Sequence, residues 1–259
     1  MTTVVVVGLG EAGALYARGL RDAGYSVRGF DPFTRLDEPG VRQEDDLGAA
    51  LDGAQLVLSL VGASAARAVG EQIVAGARPG TVLADLNTAS PALKQQLGRL
   101  AAESGVRFAD VAVLAPVPRS GVATPLMVSG PGAEAFADLM RDCPAPVEVI
   151  PGDPGAAASR KLVRSVFMKG LAAVVLESVT AARAAGCEDW LREQIATELA
   201  GDPHALTDRL LEGSHRHAAR RVHEVDDARE FLDSIGTPHW TTSAAHEWLS
   251  SLVAEPARG

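Results

Sequence analysis

The sequence predicts an α/β domain with a doubly wound, mostly parallel sheet, followed by an all-α C-terminal domain with a long interdomain helix. Two observations carry this prediction. In residues 1–150, short apolar runs alternate with helical patterns, which is typical of buried parallel strands covered by helices on both faces. After a Pro- and Gly-rich segment at residues 151–155, no strand-like alternation follows.

The α/β domain is predicted to span residues 1–152 and to contain seven strands. The strands are expected at residues 3–7, 26–31, 55–60, 81–85, 107–111, 126–129 and 147–150, and the helices near residues 11–23, 64–76, 91–104 and 132–142. The strands are almost uniformly apolar, so both faces of the sheet should be buried.

The helical domain is predicted to span residues 153–259. An Ala-rich pattern without proline runs from residue 156 to about residue 185, and shorter helices are expected near residues 189–200, 203–211, 214–234 and 241–253. A helix of about 30 residues is about 45 Å long, because each residue adds 1.5 Å. The shorter helices cannot cover that length alone, so we expect a homodimer formed through this C-terminal domain.

Composition and charge restrict the partners. Of the 259 residues, 47% are hydrophobic and 22% are charged, and the formal net charge is −9. That balance disfavours nucleic acid and anionic membranes and favours a small-molecule substrate. Cys143 and Cys187 are too few for a disulfide framework or a zinc cluster. No signal peptide or apolar span of about 18 residues is evident, so a cytoplasmic protein is expected.

A glycine motif follows the first predicted strand. The segment has the form GxGxxG and leads into a helix; its residues are Gly8, Leu9, Gly10, Glu11, Ala12 and Gly13. The first glycine permits a tight turn, the second lets the backbone approach a pyrophosphate, and the third lets helix and strand pack closely. The helix N-terminus then faces the phosphates. The motif predicts a Rossmann-type dinucleotide site.

Asp31 ends the second predicted strand, 21 residues beyond Gly10, where a ribose-binding acid belongs. A carboxylate there repels a 2′-phosphate, so NAD is the expected cofactor. Arg35 lies four residues further on and could accommodate that phosphate, so NADP stays open. The remaining predicted cofactor contacts lie at or just after the ends of predicted strands: Pro32, Val61, Gly62 and Asn87.

Two further segments complete a family pattern. Residues 85–91 read Asp-Leu-Asn-Thr-Ala-Ser-Pro, and residues 155–161 have the form Gly-x5-Lys. With the glycine motif, and in the same order and spacing, they resemble the β-hydroxyacid dehydrogenase superfamily, which includes 3-hydroxyisobutyrate and 6-phosphogluconate dehydrogenases. The resemblance covers nearly the whole chain, and its details are most similar to a phosphogluconate dehydrogenase-like branch in which a second Lys-Gly, here Lys169-Gly170, follows the first lysine.

The resemblance implies that Lys161 is the general acid/base. The residues themselves agree, because Lys161, Ser165 and Lys169 recur at i, i+4 and i+8 in an apolar helix. A partly desolvated lysine with a second ammonium nearby should have a lowered pKa and exchange protons near neutrality. We therefore predict Lys161 and Lys169 as catalytic residues. Two snorkelling lysines on an amphipathic helix are the structural alternative.

The sequence departs from the family in two places. Ser165 stands where the family has asparagine, and Leu114-Ala115-Pro116 replaces a Ser-Gly-Gly that holds a substrate carboxylate. The replacement loses a hydroxyl, and Pro116 has no N–H. A more apolar or differently anchored substrate is expected. Predicted substrate contacts include three positions from these two segments and one from residues 85–91, namely Thr88, Leu114, Ala115 and Ser165.

A polar helix face is predicted near residues 213–224. His217, Arg220, Arg221 and Glu224 recur there every three or four residues. His217 and Arg220 are candidate anion contacts, in keeping with the partner-subunit helix that approaches the active site in this fold. The alternative is a solvated face with internal pairs such as Arg220 with Glu224. No acidic or Cys ligand set accompanies these histidines, so no metal site is expected.

The predicted function is reversible hydride transfer between NAD(P) and a hydroxyl-bearing carbon of a small, hydroxy acid-like substrate. Two alternatives remain. Imine reductases resemble this fold and reduce C=N bonds, but they usually place another proton donor where Lys161 stands. A sensor or scaffold that binds NAD(P) without turnover is the second alternative.

Overall fold

The computed structural model describes residues 1–254 and divides into two compact units, Met1–Arg164 and Ser165–Gly259. The first unit contains the sheet, and the second is helical. The division falls after Arg164, within one long helix. The sequence analysis expects the domain boundary at residue 152.

The first unit contains eight strands and six helices, followed by the start of a seventh helix. The strands are β1 Thr3–Val7, β2 Ser26–Phe30, β3 Val41–Glu44, β4 Leu56–Ser59, β5 Val82–Asp85, β6 Arg107–Val113, β7 Leu126–Ser129 and β8 Val147–Val149. The helices are α1 Glu11–Asp22, α2 Leu47–Leu51, α3 Ala66–Gly76, α4 Pro91–Glu103, α5 Val117–Ser120 and α6 Ala133–Leu139.

The eight strands form one sheet in the order β3-β2-β1-β4-β5-β6-β7-β8. All neighbouring pairs are parallel except β6 with β7. The chain order therefore reverses between β1 and β4. In a doubly wound sheet, ligands bind outside the carboxyl ends of the strands at such a reversal.

Both faces of the sheet are buried, as the apolar strands predict. Along β1, Val4 and Val6 belong to one hydrophobic cluster, whereas Val5 and Val7 belong to the cluster on the opposite face. Successive side chains of a strand point to opposite faces, so a run of valines fills both layers. The fold class predicted from the sequence is confirmed.

Two elements at the sheet edge were missed by the sequence analysis. The strand β3 reads Val-Arg-Gln-Glu and pairs only with β2, so a single apolar residue, Val41, suffices to anchor it. The helix α2 has five residues and is capped by Asp46, whose side chain accepts a hydrogen bond from the Ala49 N–H. Neither segment is long enough to show a hydrophobic period.

The helix α7 runs from Ala156 to Ala184, as its Ala-rich pattern predicts. The second unit continues with α8 Glu188–Leu199, α9 Pro203–Arg216, α10 Ala218–Ser234 and α11 Trp240–Ala254. Within it, Glu177 of α7 accepts hydrogen bonds from the backbone N–H groups of Thr241 and Thr242 at the start of α11.

The second unit exposes large apolar side chains. Phe167 and Leu176 on α7 are 65% and 69% exposed, and the three tryptophans Trp190, Trp240 and Trp248 are 63%, 80% and 73% exposed. Monomeric proteins rarely leave so many aromatic and aliphatic groups in water. Within residues 1–254, no helix is both long and apolar enough to cross a membrane.

Candidate dinucleotide and proton-transfer site

The glycine motif forms the turn between β1 and α1. Gly8 has φ +93°, and a Cβ there would lie 2.5 Å from the Leu60 carbonyl oxygen. A Cβ at Gly13 would lie 1.8 Å from the Gly8 carbonyl oxygen. Both positions therefore require glycine, the first for its backbone conformation and the second for the close approach of α1 to the turn.

Gly10 differs from the other two glycines. A Cβ placed there would meet nothing within 4 Å, and the residue caps α1 without a side-chain hydrogen bond. The first turn of α1 therefore faces open space with its partial positive charge. Glu11 is exposed in this turn, whereas the Leu9 side chain is 2% exposed in the core. Open space beside a helix N-terminus is what a pyrophosphate needs.

Asp31 follows β2 and is held by three backbone N–H groups. Its Oδ2 accepts from Leu9 at 2.8 Å, and its Oδ1 accepts from Phe33 at 2.8 Å and Thr34 at 3.0 Å. These bonds fix the carboxylate beside the glycine turn. Pro32 is exposed next to it, and Arg35 forms an exposed ion pair with Asp45 at 2.6 Å.

Asn87 connects the ends of β4 and β5. Its Oδ1 accepts a hydrogen bond from the Gly62 N–H at 2.9 Å, and its Nδ2 donates to Ser59 at 2.9 Å and Asp85 at 2.6 Å. The residue is 5% exposed. Its amide is thus satisfied inside the protein and holds the turn after β4, where Val61 is half-buried and Gly62 is exposed with φ +84°.

A row of buried polar residues crosses four strands. The sheet register places Asp85 beside Ser59 and Asp110, and Asp110 beside Ser129. Their exposed fractions are 1% for Ser59, 2% for Asp85, and 0% for Asp110 and Ser129. Directly opposite residues point to the same face of a sheet, so the row brings two carboxylates together within an otherwise apolar layer.

Lys94 of α4 supplies the counter-charge for both carboxylates. Its Nζ lies 3.2 Å from Asp110 Oδ1 and 3.5 Å from Asp85 Oδ2, and it donates a hydrogen bond to the Asp85 carbonyl at 2.6 Å. Lys94 is 1% exposed. Burying these charges requires such pairing, because an unpaired ion inside a protein is very costly. Lys94, Asp85 and Asp110 are called the buried charge cluster below.

Asp110 also anchors the start of α7. Its Oδ2 accepts hydrogen bonds from the backbone N–H groups of Gly155 at 2.9 Å and Ala158 at 3.0 Å. Ser129 Oγ accepts from the Ala157 N–H at 3.0 Å. These acceptors satisfy helix-terminal N–H groups that the helix itself leaves unpaired. The first turn of α7 is therefore tied to β6 and β7.

Lys161 extends from the next turn of α7. Its Nζ donates a hydrogen bond to Thr88 Oγ1 at 3.2 Å, and its side chain is half-buried. It lines a cavity of about 10 Å³, with room for about one water molecule. The other lining residues are Asn87, Thr88, Ala89, Lys94, Asp110, Val111, Ala112, Ala158 and Leu162. The structure thus brings together the predicted residues Lys161, Thr88 and Asn87.

The surroundings of Lys161 make its ammonium form less stable than that of an exposed lysine. Burial lowers the pKa of Lys161, and the positive charge of Lys94 lowers it further. Asp110 opposes this effect, and Arg164 adds a smaller lowering. An amine with a lowered pKa releases and accepts protons closer to neutrality than ordinary lysine does.

The other predicted substrate contacts lie elsewhere. Leu114 packs with Ile150 and Ala157 in a small apolar cluster, and its N–H donates to the Pro125 carbonyl at 3.0 Å. Ala115 is half-buried beside it, and Pro116 caps α5. The Leu114 N–H is already engaged and Pro116 has none, so neither can donate to a substrate carboxylate.

The remaining predicted residues belong to the second unit. Ser165 is half-buried and Lys169 is exposed on α7. His217 lies between α9 and α10, so it does not share a continuous helix with Arg220. Arg220 is exposed and pairs with Glu224 at 3.1 Å, as the alternative interpretation of this face describes.

The sequence analysis did not assign the buried charge cluster to the site. A signal was present, because four predicted strands carry a serine or aspartate near the carboxyl end: Ser59, Asp85, Asp110 and Ser129. Lys94 is one of only three lysines among 24 basic residues, which also pointed to it. What the sequence could not show is the register that aligns the polar residues across β5, β6 and β7.

These features define a dinucleotide-binding domain with a lysine-lined cavity in the same unit. The family model described as the NAD binding domain of 6-phosphogluconate dehydrogenase matches residues 3–141, and the chain belongs to this family. A second model, described as a domain of unknown function, matches residues 182–252. The N-terminal unit is therefore an NAD(P)-binding domain.

Comparison with known proteins gives three informative relatives. An uncharacterised 28.5 kDa protein of Methanothermus fervidus is 29% identical over 152 residues, which cover 58% of each chain. The chain thus spans about 58% of the length of that curated relative. A conserved protein of unknown function, whose structure is described as similar to 3-hydroxyacid dehydrogenases, is 24% identical with a TM-score of 0.64, covering 97% of each chain.

The third relative is a reductive aminase from Aspergillus terreus in complex with NADPH and ethyl levulinate. It is 18% identical with a TM-score of 0.80, and the match covers 100% of this chain and 95% of that one. At these identities the two structural matches show a shared fold and nothing beyond it.

Proposed function

We propose that the protein transfers a hydride between NAD(P) and a hydroxyl- or carbonyl-bearing carbon of a small polar substrate, with Lys161 as general acid/base. The observation that carries this proposal is the Lys161 amine, half-buried and hydrogen-bonded to Thr88 in a cavity at the carboxyl edge of an NAD(P)-binding sheet. The residues present fit a dinucleotide, since Gly10 leaves open space at an uncapped helix N-terminus.

When bound, the nicotinamide ring supplies the hydride chemistry. In the oxidation direction, the neutral Lys161 amine takes the proton of the substrate hydroxyl. In the reduction direction, the Lys161 ammonium returns that proton to the carbonyl oxygen. Thr88 orients the amine through its hydrogen bond, and Asn87 holds the turn at Gly62 that closes the end of β4.

The direction of the pH dependence follows from the lowered pKa of Lys161. Below that pKa the side chain is an ammonium, which is the form needed for reduction. Above it the side chain is the neutral base, which is the form needed for oxidation. Reduction should therefore slow, and oxidation should accelerate, as pH rises through the Lys161 pKa.

NAD is the proposed cofactor within the NAD(P) class. Its support is Asp31, whose carboxylate is fixed beside the glycine turn by three N–H groups. A ribose diol can donate hydrogen bonds to such a carboxylate, whereas a 2′-phosphate is repelled by it. Arg35 is engaged by Asp45, which lowers its availability for a phosphate.

The deciding experiment compares two neighbouring cations on α7. Lys161→Ala should lower kcat/KM by about 10²–10⁴-fold across a panel of hydroxy acids and ketones, while the NADH dissociation constant stays unchanged. Arg160→Ala is the matched control, since Arg160 is exposed and does not line the cavity. Full turnover in Lys161→Ala would refute the proposal. Lys169→Ala in the same assay tests the second predicted lysine and should raise KM.

Reduction of a C=N bond is the second candidate. Apolar side chains of Val111, Ala112 and Leu162 line the cavity, and no Ser-Gly-Gly anion loop is present at residues 114–116. The fold is shared with a reductive aminase. Assaying ketones with and without an amine distinguishes the two functions, because only a C=N reductase consumes NAD(P)H faster when the amine is added.

A binding protein without turnover is the third possibility weighed from the sequence. NADH binding without activity on either panel, with or without amine, would support it. The lowered pKa of Lys161 favours an enzyme, because a sensor has no need of a proton-exchanging amine beside the ligand.

We also propose that the protein is a homodimer formed through its helical unit. The support is the exposed apolar surface of that unit, including Phe167, Leu176 and Trp240. Sedimentation should give twice the 26.9 kDa mass of one chain. Phe167→Glu should shift the equilibrium toward monomer, and a monomeric wild-type protein at micromolar concentration would contradict the proposal.

A further inference from the structure

Lys94 lines the same cavity as Lys161, but its side chain is almost fully buried. It is 1% exposed, and its ammonium is occupied by the Asp85 carbonyl and by two carboxylates. Replacing a buried ion pair with apolar residues of similar volume often leaves the stability of a protein unchanged or higher. A buried lysine beside the proposed general acid/base therefore calls for a role at the site.

We propose that Lys94 is a positioning residue, which holds Asp110 at the start of α7 and sets the net charge that the Lys161 amine faces. The mechanical part rests on distances: one oxygen of Asp110 faces Lys94 at 3.2 Å, and the other accepts the N–H groups of Gly155 and Ala158. Lys94 therefore helps to fix the turn of α7 from which Lys161 extends.

The electrostatic part rests on the charge of the cluster. Two carboxylates and one ammonium leave a single net negative charge next to the cavity. Without Lys94 the cluster would carry two negative charges, and these would stabilise the ammonium form of Lys161. With Lys94 present, its positive charge offsets the attraction of Asp110, and the neutral amine stays accessible.

The charged groups facing Lys161 can be named from each packed element. Lys94 comes from α4, Asp110 from β6, and Arg164 from α7 itself, while Asp85 of β5 acts through its contact with Lys94. Three of these four belong to the buried charge cluster. Substitutions in the cluster should therefore change the Lys161 titration without touching the cavity surface contributed by Thr88.

The chain offers a direct measurement, because it has only three lysines, Lys94, Lys161 and Lys169. Labelling lysine with ¹³C at the ε carbon gives three side-chain signals, which can be followed against pH in the full-length protein without substrate. The Lys161 midpoint should lie below the value of about 10.4 for free lysine. A Lys161 midpoint at or above that value in the wild-type protein would overturn the inference.

Two single substitutions change the cluster charge in opposite directions. Lys94→Gln adds one net negative charge and should raise the Lys161 midpoint by about one pH unit. Asp85→Asn removes one and should lower the midpoint. Lys169 is exposed in the second unit, and its signal serves as the internal reference.

The double variant Lys94→Gln/Asp85→Asn separates charge from packing. It restores the single net negative charge of the wild-type cluster, so the Lys161 midpoint should lie below that of Lys94→Gln and nearer the wild-type value. If Lys94 acted only through packing, both substitutions would disturb the site, and the double variant would differ from the wild type more than either single variant does. If Lys94→Gln does not fold, Asp85→Asn alone decides: a Lys161 midpoint that stays constant or rises overturns the inference.

The catalytic consequence rests on the function proposed for Lys161, and the two can fail separately. If the midpoint moves as described but Lys161→Ala retains full turnover, the charge coupling stands and the proposed mechanism fails. If Lys161→Ala abolishes turnover while the midpoint ignores the cluster charge, the mechanism stands and the role of Lys94 is wrong. When the charge coupling and the role of Lys161 both hold, the pH at which kcat/KM changes should shift together with the Lys161 midpoint.

Discussion

The glycine turn after β1 and the lysine-lined cavity belong to the same unit, yet they are built in different ways. The turn comes from six consecutive residues and works through backbone groups and missing side chains. The cavity comes from segments near residues 85, 94, 110 and 161 and works through buried charges. A local motif can supply a binding turn, whereas a tuned amine requires the whole fold to be in place.

If this contrast is correct, the largest effect should come from filling the tightest point of the turn. Gly13→Ala places a Cβ 1.8 Å from the Gly8 carbonyl oxygen, so α1 must move away from β1. We expect a loss of more than about 4 kcal/mol in the free energy of unfolding, measured by urea denaturation. Gly10→Ala is the matched control.

Gly10→Ala should separate binding from stability. Its Cβ meets no atom within 4 Å, so the unfolding midpoint should match that of the wild type. NADH binding, followed by cofactor fluorescence, should weaken at least about tenfold, because the methyl group occupies the approach to the pyrophosphate. Unchanged NADH binding in this variant would contradict the assignment of the turn.

Breaking the buried charge cluster should reduce the free energy of unfolding less than Gly13→Ala does. Asp110→Asn should reduce the free energy of unfolding by about 3 kcal/mol, because Lys94 loses one of two buried carboxylate partners. The control is Asp138→Asn, whose pair with Arg141 is more than 70% exposed and should contribute under about 0.5 kcal/mol. Equal effects in the two variants would show that the cluster is not a buried, coupled unit.

The smallest effect should be a change of cofactor preference. Asp31→Asn keeps an acceptor oxygen for Phe33 and Thr34, loses the hydrogen bond from the Leu9 N–H, and removes the charge that opposes a 2′-phosphate. The ratio of NADP to NAD dissociation constants should fall about tenfold, equivalent to about 1.4 kcal/mol. Asp37→Asn, an exposed change in the same loop, should leave the ratio unaltered.

The cofactor half could be predicted from sequence because its information is contiguous. The strand β1, the glycine spacing and the acid at Asp31 all lie within the first 31 residues, and each has a local physical meaning. Most helices of the second unit were also predictable, since they show long helical patterns separated by glycine or proline. The break between α9 and α10 was expected near residues 212–213, but it lies at His217, where no glycine or proline marks it.

The lysine-lined cavity was predicted only in part. Lys161, Thr88 and Asn87 followed from the family pattern, and the structure brings them together. Lys94 and Asp110 were missed, because their proximity depends on the register of β5 with β6 and on the packing of α4. Strand register over 25 residues of intervening chain is set by tertiary packing, and one sequence does not reveal it.

The distribution of aromatic side chains has a practical consequence for spectroscopy. All three tryptophans lie in the helical unit and are largely exposed, whereas the two tyrosines, Tyr16 and Tyr25, are buried in the sheet unit. Indole emission therefore reports on the helical unit alone. A blue shift of that emission as the protein is concentrated from nanomolar to micromolar would record self-association, with no added dye and no signal from the nucleotide domain.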